Sequence, residues 1–375
     1  MVSLSYFEDM AAGFHNPEIQ KWKNDGKKVV GTLCSNIPEE LLHAAGLLPV
    51  RVRAPGVQDT SRADAFLHEI NCSYSRSVLE SFMAGQMDFV DGLIVTNTCD
   101  HHLRLAGELK AKANQPVHYF QMYHTRTQGA KEWFVNEMNR MIDHIQQAYG
   151  IEISDAALTN SIDTYNQTRR LMTKLNELRK ASVQVLSGAD YMKIVLTGMS
   201  VPRDRFNDKL TELLKELADH HTFETPQKPR LMIMGGACDA YEFIQTIEDS
   251  GAWVVADDLC FGLRHYQGLI DKHTTDPLTA MADRYFNRAA CPSVMDGFDH
   301  SYDILQKLIK ERDVHGIIGA RLKYCDHWAG AFKMMRERLR EDLGIPLLEI
   351  EREYSTTYSG QISTRLQAFL EMLGD

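Results

Sequence analysis

The sequence predicts an α/β protein built as two related lobes, each a doubly wound parallel sheet, with a helical middle segment. Three observations predict it. Short apolar, β-branched runs alternate with amphipathic stretches toward both ends of the chain, the pattern of strands feeding helices around a parallel sheet. The tripeptide Cys-Asp-His occurs twice, as Cys99-Asp100-His101 and Cys325-Asp326-His327, after the similar segments Asp91-Gly92-Leu93-Ile94 and His315-Gly316-Ile317-Ile318. Repetition in the same strand–turn–helix context, in the same order, marks related units rather than chance. Between the copies, strand signal lapses. The expected organisation is an N-terminal lobe over residues 1–129, a helical bridge over 130–225 and a C-terminal lobe over 226–375.

Val29-Val30-Gly31-Thr32-Leu33 reads as the first strand. Pro38-Glu39-Glu40 opens a helix, because proline is tolerated in a first turn and acids suit the positive end of the helix dipole. Gly46 closes it, and Leu48-Pro49-Val50-Arg51-Val52 starts the next extended piece. Gly92-Leu93-Ile94-Val95-Thr96 is a buried strand, followed by a helix through Leu103 to Lys112, and Pro116-Val117-His118-Tyr119-Phe120 is a fourth strand. From about Ala130 to His221, apolar residues recur at helical spacing, as in Trp133, Met138, Met141 and Ile145, then Leu171, Leu175 and Leu178. A second apolar face on the run near 133–149 would suit a subunit contact. The stretch from Thr222 to Arg230, with Pro226 and Pro229, reads as the linker.

The first pattern then returns. Arg230-Leu231-Met232-Ile233-Met234 is a strand, a helix runs through Ile247, Gly251 ends it, and Ala252-Trp253-Val254-Val255 is extended. Leu343-Gly344-Ile345-Pro346-Leu347-Leu348 mirrors the fourth strand of the first lobe. Met232, Met234, Trp253 and Phe261 fit ordinary core packing.

The chain has 375 residues, 41 basic against 51 acidic side chains and a net charge of −10. That balance argues against nucleic acid or an anionic membrane as a partner, since either requires a basic excess. No run approaches the roughly 18 apolar residues of a membrane helix, and residues 1–28 show no apolar segment after a basic start. A cytoplasmic location is expected.

Seven cysteines, at 34, 72, 99, 238, 260, 291 and 325, are too sparse for a disulfide-stapled scaffold. The smallest gap, 22 residues from 238 to 260, removes CxxC redox motifs and zinc ribbons. Cys34, Cys99, Cys238, Cys260 and Cys325 each fall just past the expected end of a strand, where an open parallel sheet binds its ligands. Each lobe supplies a trio in similar order, Cys34, Cys72 and Cys99, then Cys260, Cys291 and Cys325, with Cys238 in excess. Trios of soft thiolates suit iron–sulfur clusters, with one iron of a cubane left open to another ligand. Zinc, or buried thiols acting as small hydrophobes, are the other readings of the same residues.

At these residues the chain resembles the 2-hydroxyacyl-CoA dehydratase and benzoyl-CoA reductase superfamily. The match lies in residues 29–34 with Pro38-Glu39-Glu40-Leu41 and residues 44–50; in Asn71-Cys72 with Ser75-Arg76-Ser77, Phe89-Val90-Asp91-Gly92 and Thr98-Cys99-Asp100; in residues 257–262; and in Cys291-Pro292, Lys323-Tyr324-Cys325-Asp326, Tyr354-Ser355 and Gly360-Gln361. It spans nearly the whole chain. The resemblance implies flavodoxin-like lobes and cluster ligation by Cys72, Cys99 and Cys325. The further Cys34, Cys260 and Cys291 resemble the double-cubane branch, in which a sulfide bridges two cubanes as an [8Fe-9S] cluster; otherwise a [4Fe-4S] cluster is implied. Six cysteines and the chain length are most like the smaller catalytic-side subunit of ATP-dependent benzoyl-CoA reductase.

The resemblance further implies a larger homologous catalytic subunit, an ATP-hydrolysing iron–sulfur activator, ferredoxin as upstream donor and an acyl-CoA substrate. The implied reaction is reduction of an aromatic acyl-CoA to the cyclic diene. Alternatives are a homodimeric double-cubane reductase of another small substrate, an (R)-2-hydroxyacyl-CoA dehydratase subunit and a non-catalytic electron relay. The absence of a G-x-x-x-x-G-K-[ST] motif agrees with ATP being used on another chain. His101, His327 and Tyr324 flank the implied ligands as candidate proton donors, with His102 beside them and orientation of the ligands as the plainer role. Asp100 and Asp326 are expected to cap the helices after their cysteines. Arg51 and Arg53 are expected on the surface or against a coenzyme A phosphate, and Asp257-Asp258 in a loop turn near Cys260 or as a metal-binding acid pair.

Overall fold

The computed structural model describes residues 2–180, 185–219, 228–274, 276–354 and 360–374. The expected linker falls outside them from Thr222 to Gln227, as does Ser355. The first sheet is formed by β1 (Val29–Thr32), β2 (Leu48–Arg51), β3 (Gly92–Thr96) and β4 (Val117–Phe120). The second is formed by β5 (Arg230–Gly235), β6 (Trp253–Leu259), β7 (Gly316–Leu322) and β8 (Leu347–Arg352). Their orders are β2-β1-β3-β4 and β6-β5-β7-β8, so both sheets have the same winding. Every pairing is parallel.

The burial of both sheet faces explains why the inner strands read as unbroken apolar runs. One core runs from Phe7 and Val29 through Tyr191 and Phe206 to Leu231 and Ile318, joining the two sheets through the helices Gly188–Gly198 and Arg203–Asp219. On its other face, the first sheet packs Val30 and Ile94 against Phe134, Met138, Met141 and Ile145 of the helix Gln128–Tyr149. Trp133, read with that stripe, is instead exposed. The second sheet packs Met232, Met234 and Ile317 against Trp328 and Phe332. Met232, Met234, Trp253 and Phe261 are buried, as expected.

The middle of the chain is helical because its starts are capped and its stripes find partners. Thr127 accepts from the Ala130 N–H at 3.2 Å, Ser154 from Ala157 at 3.2 Å and Ser187 from Asp190 at 2.9 Å. Gly46, at φ 71°, makes the left-handed turn that ends the helix Glu39–Ala44. Two expectations on strand limits change. Leu343 is the last residue of the helix Asp326–Leu343, closed by Gly344 at φ 68°, so β8 begins only at Leu347. β6 continues through Asp257 and Asp258 to Leu259, which removes the expected loop turn there.

The carboxyl ends of the two sheets face each other. Ser35, after β1, donates to the Cys260 carbonyl after β6 at 2.6 Å. Arg53, after β2, meets Asp239, after β5, at 2.9 Å. Ser73 Oγ accepts from the Tyr354 N–H, after β8, at 2.7 Å. Ligands of open parallel sheets bind beyond such ends, and here two sets of ends share one interior. Among the described residues, no helix is long and apolar enough to cross a membrane.

Candidate functional site

All six cysteines of the two expected trios lie between the sheet ends. Cys34 follows β1, Cys260 follows β6, and Cys291 follows the helix Pro277–Asn287. Cys72, Cys99 and Cys325 are the N-cap residues of the helices Ser73–Met83, Asp100–Lys112 and Asp326–Leu343, so their thiols sit at positive helix ends. None of these caps is made by a side-chain hydrogen bond. Asp100 and Asp326 therefore occupy the first helical turn, rather than capping, and favour the dipole from there. The cysteine takes the cap because the helix begins one residue earlier than a capping aspartate requires.

The thiols act on one another. Burial pushes Cys99 far up, and the charges of Cys72, Cys325 and Cys291 push it the same way. Burial raises Cys325 to about 12, with Cys72, Cys291 and Cys260 adding to it against the Trp328 N–H. Burial raises Cys260 to about 11, opposed by Arg264 and Arg51 and reinforced by Cys291 and Cys34. Cys72 is raised by burial against the pull of Ser75. These couplings join six thiols into one group. Cys238 stands outside it: it is fully buried, and the groups acting on it are Arg352, Asp239 and the Ala240 N–H.

Hydrogen-bond donors reach three of the sulfurs. Thr98 Oγ1 lies 3.3 Å from Cys34 Sγ and is itself bonded to Thr96 Oγ1 at 2.7 Å. Arg264 Nη1 lies 3.5 Å from Cys260 Sγ, while its Nε and Nη2 clamp the Asp258 carboxylate at 2.9 and 2.6 Å. Ser75 Oγ lies 3.5 Å from Cys72 Sγ. Sequence reading missed Thr98, Ser75 and Arg264 as sulfur partners; spacings of three and four residues from the bonded cysteine were a usable signal for Ser75 and Arg264, whereas Thr98 bonds Cys34 across 64 residues. Asp257 and Asp258 form ion pairs within the protein, with Arg179 at 3.1 Å and Arg264 at 2.6 Å, and so are not a free metal-binding pair.

The two Cys-Asp-His copies meet. Burial lowers His101, and the charges acting on it include Asp326 and His327 of the other copy. His101 Nδ1 accepts the Cys72 N–H at 3.3 Å, which leaves the ring proton on Nε2. His327 is exposed and lines a cavity of about 290 Å³ with Cys291, Asp258, Trp328, Met334 and Met335. Tyr324 is exposed and holds φ at 66°, the left-handed region that costs a non-glycine residue roughly 1–2 kcal/mol. His102 stacks on Tyr74 at 5.6 Å, and burial followed by Arg51 lowers it to about 3.

Arg51 and Arg53 correct the sequence reading most sharply. Both are buried, at 3% and 2% exposure, so neither is a surface arginine or open to a coenzyme A phosphate. Arg53 is held by Asp239 and the Ala11 carbonyl. Arg51 lies over the Phe261 ring at 4.7 Å, and its Nε and Nη1 have no hydrogen-bond partner among the described residues.

Residues 34–373 match the family described as 2-hydroxyglutaryl-CoA dehydratase, D-component. The chain belongs to that family. Its relatives span both chemistries of the wider superfamily. The chain is 24% identical over 379 residues to the (R)-phenyllactyl-CoA dehydratase beta subunit of Clostridium sporogenes, covering 99% of each chain. It is 25% identical over 332 residues to a benzoyl-CoA reductase subunit of Thauera aromatica, covering 86% of each. It is 28% identical over 367 residues to YjiM of Escherichia coli (strain K12), covering 94% of this chain and 93% of that one.

The chemistry of the donor set, six thiols, fits an iron–sulfur group. Among the described residues, no three Cys, His, Asp or Glu side chains gather closely enough to hold one metal ion. In a cubane each thiolate binds a different iron, so its donors stand farther apart than around one ion. Six thiols joined by charge coupling, with hydrogen-bond donors beside three of them, suit that wider spacing.

Proposed function

We propose that this D-component family member is the iron–sulfur subunit of an acyl-CoA enzyme of the benzoyl-CoA reductase type. The observation that carries the proposal is the convergence of six thiols, three from each lobe, between the facing sheet ends. Cys34, Cys72, Cys99, Cys260, Cys291 and Cys325 would hold the group, a double cubane by number of ligands. When bound, such a group supplies low-potential single electrons. The remaining work belongs to the chain. Thr98, Ser75 and Arg264 hold three thiols in place and donate toward their sulfurs. The open cavity beside Cys291 offers an approach walled by Trp328, Met334 and Met335. His327 stands in that wall as the candidate proton donor, while His101 is turned to the Cys72 backbone and serves orientation.

The subunit names of the relatives support a second, larger subunit as partner, and the proposal assigns ATP hydrolysis and ferredoxin to other chains. A second reading, (R)-2-hydroxyacyl-CoA dehydration, is favoured by the full-length match to the phenyllactyl-CoA dehydratase subunit. Anaerobic purification with iron and acid-labile sulfide counting separates the two first. About eight irons per chain is expected for the double cubane; about four removes it and leaves the dehydratase reading. Zinc without sulfide removes both. Turnover of benzoyl-CoA against an (R)-2-hydroxyacyl-CoA, with the co-purified subunit and activator present, then decides the reaction.

A further inference from the structure

Six cysteines ligating an iron–sulfur group give it six negative charges from the protein, and each added electron increases the anionic character. Burial makes that costly unless positive charge lies nearby. Most buried arginines near the site are already committed. Arg264 is clamped by Asp258, Arg53 by Asp239, and Arg203 by Glu39 at 2.8 Å. Arg288 bonds to the Arg264 and Ser35 carbonyls at 3.2 and 3.0 Å and to the Asn36 side chain.

Among the described residues, Arg51 differs in lacking both kinds of partner, the carboxylate that Arg264, Arg53 and Arg203 each have and the neutral acceptors that hold Arg288. It ends β2 at the shared interior and is 3% exposed, yet no carboxylate lies within ion-pair distance of it among the described residues. Glu39 feels its charge, but the Glu39 carboxylate is bonded to Arg203 and faces His265 at 3.6 Å. The other groups around Arg51 are Phe261, Tyr74, His102 and Cys260, all of which flank the thiols. Two guanidinium nitrogens, Nε and Nη1, are left without partners in this interior. A native chain rarely buries an uncompensated guanidinium, because its desolvation is not returned. An anion would answer both the charge and the two unmet donors, and the anion that the neighbouring thiols assemble is the nearest candidate.

We propose that Arg51 is the charge-compensating donor to the anionic iron–sulfur group held by the six cysteines, and that it raises the potential of that group. The inference rests on the proposed function. A fixed positive charge stabilises the reduced, more anionic state over the oxidised one, so Arg51 opposes the downward push of thiolate charge and burial. Burial of the side chain also leaves the effect much less screened by salt than a surface charge would be.

The test uses the full chain, reconstituted anaerobically as wild type, Arg51→Met and Arg51→Lys. It reads iron and sulfide content, the midpoint potential by dye-mediated titration followed by electron paramagnetic resonance, and the unfolding midpoint of the iron-free protein. The reduction equilibrium of R51M is expected to fall at least ten-fold, about 59 mV for a one-electron step, with R51K recovering most of the loss. Iron-free R51M is expected to unfold no earlier than wild type, since it removes an unpaired buried charge. Folded R51M that takes up no iron, while R51K does, supports the same conclusion. R51M with wild-type iron content and potential overturns it. So does loss of iron from R51M and R51K alike, or iron-free R51M that is much less stable, which assigns Arg51 to the fold. Wild-type protein that binds no iron and sulfide instead refutes the proposed function, a distinct result.

Discussion

Asp257→Ala should be among the most damaging single changes in the second lobe. Asp257 is 2% exposed in β6 and spends each carboxylate oxygen on a different element. Oδ2 receives Arg179 Nη1 at 3.1 Å, from the end of the long middle helix Asp155–Leu178. Oδ1 receives the Leu263 N–H at 2.6 Å and so fixes the turn that carries Cys260. Among the described residues, Arg179, 1% exposed at its side chain, keeps only the Val254 carbonyl, the Asn176 side chain and the face of Tyr191 when Asp257 is removed. Stranding one member of a buried ion pair costs about 3–5 kcal/mol. Leaving the Leu263 N–H unmet costs about 1–3 kcal/mol, and the two overlap because one side chain serves both.

A loss of about 4 kcal/mol is therefore expected for D257A, and about 3 kcal/mol for D257N, which keeps an acceptor for Leu263 but still strands the Arg179 charge. Urea unfolding of the iron-free chain, followed by far-ultraviolet circular dichroism, measures both. Arg179→Met combined with D257A should be more stable than D257A alone, because no charge is then left buried without its counter-ion. A D257A loss below about 1 kcal/mol, or a double variant less stable than D257A, would mean that the Asp257–Arg179 pair does not hold the second lobe together.

Cys238→Ala should leave iron and sulfide content at the wild-type level, whereas Cys99→Ala should lower both; retained iron in C99A removes that ligand from the set. Glu39→Gln carries a defined pH dependence. Burial alone would raise the Glu39 carboxyl, but His265, Arg203 and Arg51 outweigh it and hold it at about 2 against an ordinary 4.5. Its contribution, on the order of 3 kcal/mol, is present above pH 4.5 and lost as pH falls toward 2. The stability gap between wild type and E39Q should thus be widest near neutrality and close across that window; a gap that widens in acid contradicts the assignment. Two helical glycines should respond oppositely to alanine. A Cβ at Gly198 would lie 2.4 Å from Tyr266 Oη and 2.7 Å from Phe206 Cζ, so G198A should cost about 1–3 kcal/mol. At exposed Gly107 a Cβ meets nothing, and G107A should gain up to about 1 kcal/mol in thermal or urea unfolding.

The strands and the cysteine positions were legible because both are local. β1, β3 and β5 are continuous apolar runs only because both of their faces are covered, and that burial is written residue by residue. The charged residues were much less legible. Asp257 and Asp258 read as turn residues by composition, yet lie in a strand because Arg179, 78 residues away, and Arg264 neutralise them. Arg51 and Arg53 read as surface residues, yet are buried for related reasons. Asp100 and Asp326 read as caps, and one residue of helix register gave that place to the cysteines.

The two-lobed winding and the helical middle were legible in the sequence, which also groups the seven cysteines as three, three and one. Each of these is carried by periodicity or by repetition, which a short window preserves. Which charges are answered is settled in three dimensions. Arg53 finds Asp239 across 186 residues, Asp258 finds Arg264 across six, and Arg51 finds no carboxylate at all among the described residues. Charge compensation depends on distance in space and on burial, and sequence separation records neither.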